Sequence, residues 1–93
     1  MVIGLLLIEI HFPHSTSLKE KRAALSGFKE KIRNRFNVAL AEVANQDKWQ
    51  LASLAFVTIN NEKDIVDQTL EKIIQEAEIN LEGEIIHSKI VHL

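Results

Sequence analysis

Ninety-three residues, 46% apolar, with a net charge of −2 and no cysteine, point to one small folded domain over residues 1–93. They exclude a disordered chain, a disulfide-stapled scaffold and a thiolate metal site. The charge is uneven: residues 19–35 hold seven of the eleven Lys/Arg and two of the thirteen Asp/Glu, a local +5 on a body of −7.

Val2–Phe12 is the first predicted strand. Its even positions (Val2, Gly4, Leu6, Ile8, Ile10, Phe12) are apolar or small, and its odd positions run Ile3, Leu5, Leu7, Glu9, His11. One face is therefore fully buried, and the other turns polar only near its end. The same apolar run is too short to cross a bilayer. It lacks the basic start and small-residue cleavage site of a secretion signal, so a cytoplasmic location without a membrane partner is expected.

Ser17-Leu18-Lys19-Glu20 fits a capping box and opens a helix that ends near Asn34. Leu18, Leu25, Phe28 and Ile32 form its buried stripe, and Lys19, Arg22, Lys29 and Arg33 its opposite face. Arg33 and Arg35 suit the negative end of the helix dipole. Phe36–Ala44 is strand two, Asn45–Lys48 a polar hairpin connection, and Trp49–Ile59 strand three. Asn60 and Asn61 end that strand, and one of them can cap a second helix over Glu62–Ile79, whose inner face is Ile65, Val66, Thr69, Leu70, Ile73 and Ala77. Gly83 signals a turn before strand four, Glu84–Val91.

Short connections and right-handed crossovers fold this order into an α+β, ferredoxin-like βαββαβ domain. Its antiparallel sheet has order 4-1-3-2, with both helices on one face. The uncovered face should be polar. Instead strand one sends Ile3, Leu5 and Leu7 outward, and strand three is expected to add Ala52, Leu54 and Phe56. Such a patch predicts self-association, as a dimer or higher oligomer, through Ile3, Leu5, Leu7, Leu54 and Phe56. A chain this small gains from such a partner, because it buries only about two-thirds of its unfolded surface by itself.

Several segments resemble the uncharacterised bacterial YlxP-like family. They are Ser17-Leu18-Lys19-Glu20-Lys21-Arg22 after a His-x-Pro turn, Arg33-Asn34-Arg35-Phe36-Asn37-Val38 with Ala41-Glu42-Val43, and Asp47-x-Trp49-Gln50-x-Ala52. The similarity covers essentially the whole chain. It implies a ferredoxin-like fold and a gene setting beside translation and ribosome-maturation factors, with no catalytic residues.

Three chemistries merit weighing. Ala55-Phe56-Val57-Thr58-Ile59 matches the tail of an RNA-recognition strand, but its leading basic residue, glycine and first aromatic are missing, which argues against base stacking. The basic helix offers phosphate contacts instead, through Lys19, Lys21, Arg22, Lys29, Arg33 and Arg35, so RNA or the ribosome is the expected anionic partner. A polar end is expected to gather His11, His14, Ser17, Glu42 and Trp49, a weaker candidate for a small ligand or acid–base chemistry. No cofactor motif occurs. The loop after strand one lacks the glycines and arginine of an acylphosphatase. Four scattered histidines make no metal motif, so no metal is expected. The expected function is a non-enzymatic binding or assembly module. A ligand binder or minor enzyme at the polar end, and a purely structural oligomer, are the alternatives.

Overall fold

The computed structural model describes residues 1–93. It places β1 at Val2–His11, α1 at Leu18–Arg35, β2 at Ala39–Ala44, β3 at Leu51–Asn60, α2 at Lys63–Asn80 and β4 at Glu84–His92. The four strands form one antiparallel sheet in the order β2-β3-β1-β4, the expected 4-1-3-2 order viewed from the other side. Both helices pack on one face of it.

Fifteen buried apolar residues form one core between sheet and helices. β1 contributes its even positions. α1 contributes Leu25, Phe28 and Ile32, and α2 contributes Val66, Leu70, Ile73 and Ala77. Phe28 of α1 meets Phe56 of β3 edge-on, with ring centroids 6.5 Å apart at 84°, a favoured aromatic geometry. Gly4 is where α2 rests on β1: a Cβ there would collide with Val66 Cγ1 and lie 2.9 Å from Leu70 Cδ1.

α1 starts as its sequence directs. Ser17 Oγ accepts a hydrogen bond from the Glu20 backbone N–H at 3.1 Å. The glutamate reaches one residue further back than a standard capping box, accepting from Thr16 N–H at 2.8 Å. That bond holds the Glu20 carboxyl below its ordinary pKa. α2 differs from expectation. Its N-cap is Glu62, which makes no side-chain cap, while Asn60 Oδ1 accepts from Glu62 N–H at 3.0 Å in a local turn. β2 begins at Ala39, three residues later than its hydrophobic pattern suggests. Thr58 Oγ1 donates to Asn37 O at 2.7 Å and occupies the approach to the strand.

Strand three corrects the expected outer face. Leu6 pairs with Phe56 and Ile8 with Leu54, so even residues of β1 and β3 share a face. Ala52, Leu54 and Phe56 are fully buried beneath the helices. Leu54 and Phe56 therefore belong to the core and are unavailable for self-association. Phe56 is equally unavailable for stacking on a base. The outer face of β3 is Leu51, Ser53, Ala55, Val57 and Ile59, beside His11, Glu9, Leu7, Leu5 and Ile3 of β1. Both faces of β3 are apolar, so polarity alone could not orient it; the larger side chains, Leu54 and Phe56, took the side with depth to fill.

Candidate anion-binding groove on helix α1

Four cations of α1 sit on the face that looks away from α2. Arg22, Lys29 and Arg33 recur at helical spacing with Ser26 between them, and Lys19 lies one turn before Arg22. Together with Leu25 and Glu42, the residues Arg22, Ser26, Lys29 and Arg33 line an open groove of about 330 Å³ between α1 and edge strand β2. At 1.5 Å per residue, the row from Arg22 to Arg33 runs about 16 Å along the helix.

Glu42, which lines this groove, is held from beneath α1 by Lys21. This lysine occupies the first position of the buried row Lys21, Leu25, Phe28, Ile32, where Leu18 was expected. Its side chain is fully buried. The ammonium donates to Glu42 Oε2 at 3.1 Å, Asn45 O at 2.8 Å and Leu51 O at 3.1 Å. An ammonium has three protons, so its hydrogen-bonding capacity is filled. The contact joins α1 to β2 and to both ends of the β2–β3 connection, where Asn45 turns with φ 64°. Asn45 Nδ2 donates to Ser53 Oγ at 2.7 Å and secures the same turn.

The expected six-residue basic surface is therefore divided. Lys21 is enclosed and neutralised by Glu42, so it is removed from the anion-binding set. Arg35 is paired with Glu76 of α2 and lies over the Phe36 ring at 5.2 Å from its centroid. It serves mainly as a helix–helix contact and stands apart from the groove. Lys31 joins the same cluster, donating to Asn80 Oδ1 at 3.1 Å and lying 3.6 Å from Glu76. The hydrogen bond from Arg35 is the main cause holding the Glu76 carboxyl below its ordinary pKa. Lys19, Arg22, Lys29 and Arg33 make no ion pair. Ser26 was absent from the sequence-based set, although its position four after Arg22 and three before Lys29 is the signal that finds it.

The polar end does not assemble into one site. Ser17 is engaged in capping, and Glu42 points into the α1 side of the sheet toward Lys21. His11 pairs with Leu51 and lies on the opposite face of the sheet. His14 lines a separate depression with Phe12, Ser15, Glu20, Lys21 and Glu82. Trp49 is half-exposed on the β2–β3 connection. The reason is strand parity: positions near in sequence at a strand end fall on alternate faces. His92, at the far end of β4, places Nε2 2.6 Å from Asp67 Oδ1 on α2. Asp67 is held below its ordinary pKa, first by the Lys63 hydrogen bond and then by His92. No three His, Asp or Glu residues group closely enough to share a metal ion. No helix is long and apolar enough to cross a membrane.

A family model described as "Protein of unknown function (DUF503)" matches residues 3–90. The chain belongs to the DUF503 family. It is also similar to the "Uncharacterized protein YlxP" of Bacillus subtilis (strain 168), with 30% identity over 73 residues, covering 78% of this chain and 79% of that protein. The resemblance seen in the Ser17–Arg22 and Arg33–Val38 segments is thus established across the DUF503 match. Two solved structures share the fold. "De novo designed protein Foldit4" aligns with TM-score 0.56 and 9% identity, over 100% of this chain and 97% of that one. "De novo designed protein Ferredog-Diesel" aligns with TM-score 0.50 and 15% identity, over 96% of this chain and 83% of that one. At such identities the likeness carries architecture alone. The groove is therefore read from the chemistry of this DUF503 chain itself.

Proposed function

We propose that this DUF503 protein is a non-enzymatic binding module that holds RNA, free or within the ribosome, against the α1 groove. One observation carries the reading: the cations of α1 are sorted by partner. Those facing the sheet or α2 are neutralised by Glu42 and Glu76, whereas Arg22, Lys29 and Arg33 line an open groove with no carboxylate paired to them. Unpaired cations in a row are the electrostatic footprint of a polyanion. The groove supplies phosphate contacts and no aromatic for stacking, so binding is weakly dependent on base sequence. The translation-related gene setting implied by the family resemblance agrees with such a partner.

A labelled single-stranded RNA titrated across a salt series tests it, together with co-sedimentation with ribosomes. Three to four phosphate contacts predict that log K falls with log salt at a slope of about −2 to −3. Lys29→Glu with Arg33→Glu is expected to abolish binding to both. Absence of binding at low salt, or binding unaltered in that variant, refutes the proposal.

A further inference from the structure

The uncovered face of the sheet has a pattern of sizes as well as of polarity. In the order β2, β3, β1, β4 its rows read Ala39-Val57-Leu5-Val91, then Ala41-Ala55-Leu7-Lys89, then Ala44-Ser53-Glu9-His87. Ile59 and Ile3 lie beyond the first row. The paired positions of β2 on this face are all alanine, and Ala55 and Ser53 of β3 are small, whereas β1 and β4 carry larger side chains. Val57 and Ile59 of β3 and the bulge residue Val43 of β2, which lies beside Leu7, Glu9, Ser53 and His87, are the large exceptions on the β2 and β3 half. Val57 and Ile59 are 37% and 50% exposed. A further row, Leu51-His11-Glu84, follows that of Glu9, and the charged groups lie from the Ala41 row to that end of the sheet.

We propose that two copies of the chain pack these faces together about a two-fold axis that runs parallel to the strands between β1 and β3. That operation lays each row on its own counterpart with strand order reversed. β1 then faces β3 of the second copy, and β4 faces β2. Leu7 meets Ala55, Val91 meets Ala39, Glu9 meets Ser53, and Lys89 lies over Ala41; Leu5 on Val57 and Ile3 on Ile59 are the two contacts that set large on large. Large faces small at most contacts, which is how two pleated sheets interdigitate. No like charges are opposed. The lysine stem covers Ala41 while its ammonium reaches past the sheet edge to water. The other in-plane axis, perpendicular to the strands, has two settings. One lays Ile3 and Ile59 on the Glu9 row and buries charge against aliphatics. The other sets Leu5 on Leu5 and Ala39 on Ala39, leaving bulges and gaps.

The area fits a second copy. Four strands at about 4.8 Å and about 20 Å of strand length give a flat face of about 400 Å² on each copy. The total, about 800–1,000 Å² once the pleats are counted, falls in the range of weak, transient interfaces. The structure therefore assigns a weak, reversible dimer, formed between micromolar and millimolar concentrations, which suits a chain that also folds around its own core.

Sedimentation equilibrium over a micromolar to millimolar range tests this, with circular dichroism to confirm folding. The wild type is expected to form dimers and Leu5→Asp to remain monomeric. The axis is tested at Ala41 and Lys89, both exposed and about 14 Å apart within one sheet, four strands wide. Ala41→Glu is expected to tighten the dimer by roughly two- to tenfold, through two symmetry-related ion pairs to Lys89 of the second copy. Ala41→Lys is expected to loosen it similarly, and Ala41→Lys with Lys89→Glu to restore it. A wild type that stays monomeric at millimolar concentration overturns the proposal. So do Ala41→Glu and Ala41→Lys shifting the equilibrium in the same direction.

Discussion

Removing the Lys21 ammonium while keeping its volume tests the main polar contact of the fold. In Lys21→Met, Glu42 loses its cation, and Asn45 O and Leu51 O each lose a donor. Breaking a buried ion pair from one side costs about 3–5 kcal/mol. Glu42 keeps 13% of its side chain exposed, and Asn45 O still accepts from Lys48 N–H at 3.0 Å. Both soften the loss, so the low end applies, about 3 kcal/mol. A domain of this length has a total stability of about 5–14 kcal/mol, and each kcal/mol moves its melting temperature by about 4–8 °C. The variant is expected to melt about 12–24 °C lower by circular dichroism, and urea denaturation should give the matching free energy. The exposed neighbour Arg22→Met is the control and should change stability by less than about 0.5 kcal/mol. Lys21→Met with Glu42→Leu replaces the pair by apolar groups and should recover most of the loss. A Lys21→Met variant as stable as wild type, or a double variant no better than the single, refutes the assignment of Lys21 as a clasp.

Two other outcomes follow from local geometry. Gly27 lies exposed within α1, and a Cβ added there meets nothing within 4 Å, so Gly27→Ala should raise stability by about 0.5–1 kcal/mol in thermal melts. Glu20, Asp67 and Glu76 are held below their ordinary pKa by Thr16 N–H, Lys63 and Arg35 respectively. The unfolded chain therefore takes up protons first on acidification. Their stabilising contribution is complete above about pH 5 and is lost as pH falls through about 4 and below. Urea midpoints measured from pH 7 to 3 should fall over that window, and a flat or rising profile would contradict the three contacts.

The elements were legible because their signals are local. Alternation marked β1, the Ser17 cap marked the start of α1, and helical spacing identified Leu25, Phe28 and Ile32. The sheet order followed from connection rules that act on any βαββαβ chain. What the sequence concealed depended on pairing between distant segments. β3 has apolar residues on both sides, so its inward face was settled only by the register Leu6–Phe56. Lys21 looked like one more member of a basic helix, because its partners Glu42, Asn45 and Leu51 are 21 to 30 residues away. Charge type was readable from the residues, but whether a charge was already satisfied was not. That difference removes Lys21 and Arg35 from the anion-binding set and leaves Arg22, Lys29 and Arg33.

The two proposed surfaces sit on opposite sides of the sheet, which decides how they combine. α1 and its groove lie on the helical side, and the apolar rows lie on the other. Packing the apolar faces together turns the helical layers outward, so the two basic rows of a dimer point away from each other. Their positive charges do not oppose association, as they would if edge strand β2 paired with its own copy beneath two adjacent basic helices. β2 itself carries Glu42 turned inward and a register shift between Glu42 and Ala44, a kink that makes a poor template for continued pairing. The charge on α1 thus disfavours edge-to-edge pairing while leaving face-to-face packing open. A dimer of this form has one groove on each outer side, arranged to hold two separate anionic segments apart, whereas one segment cannot be clamped between them.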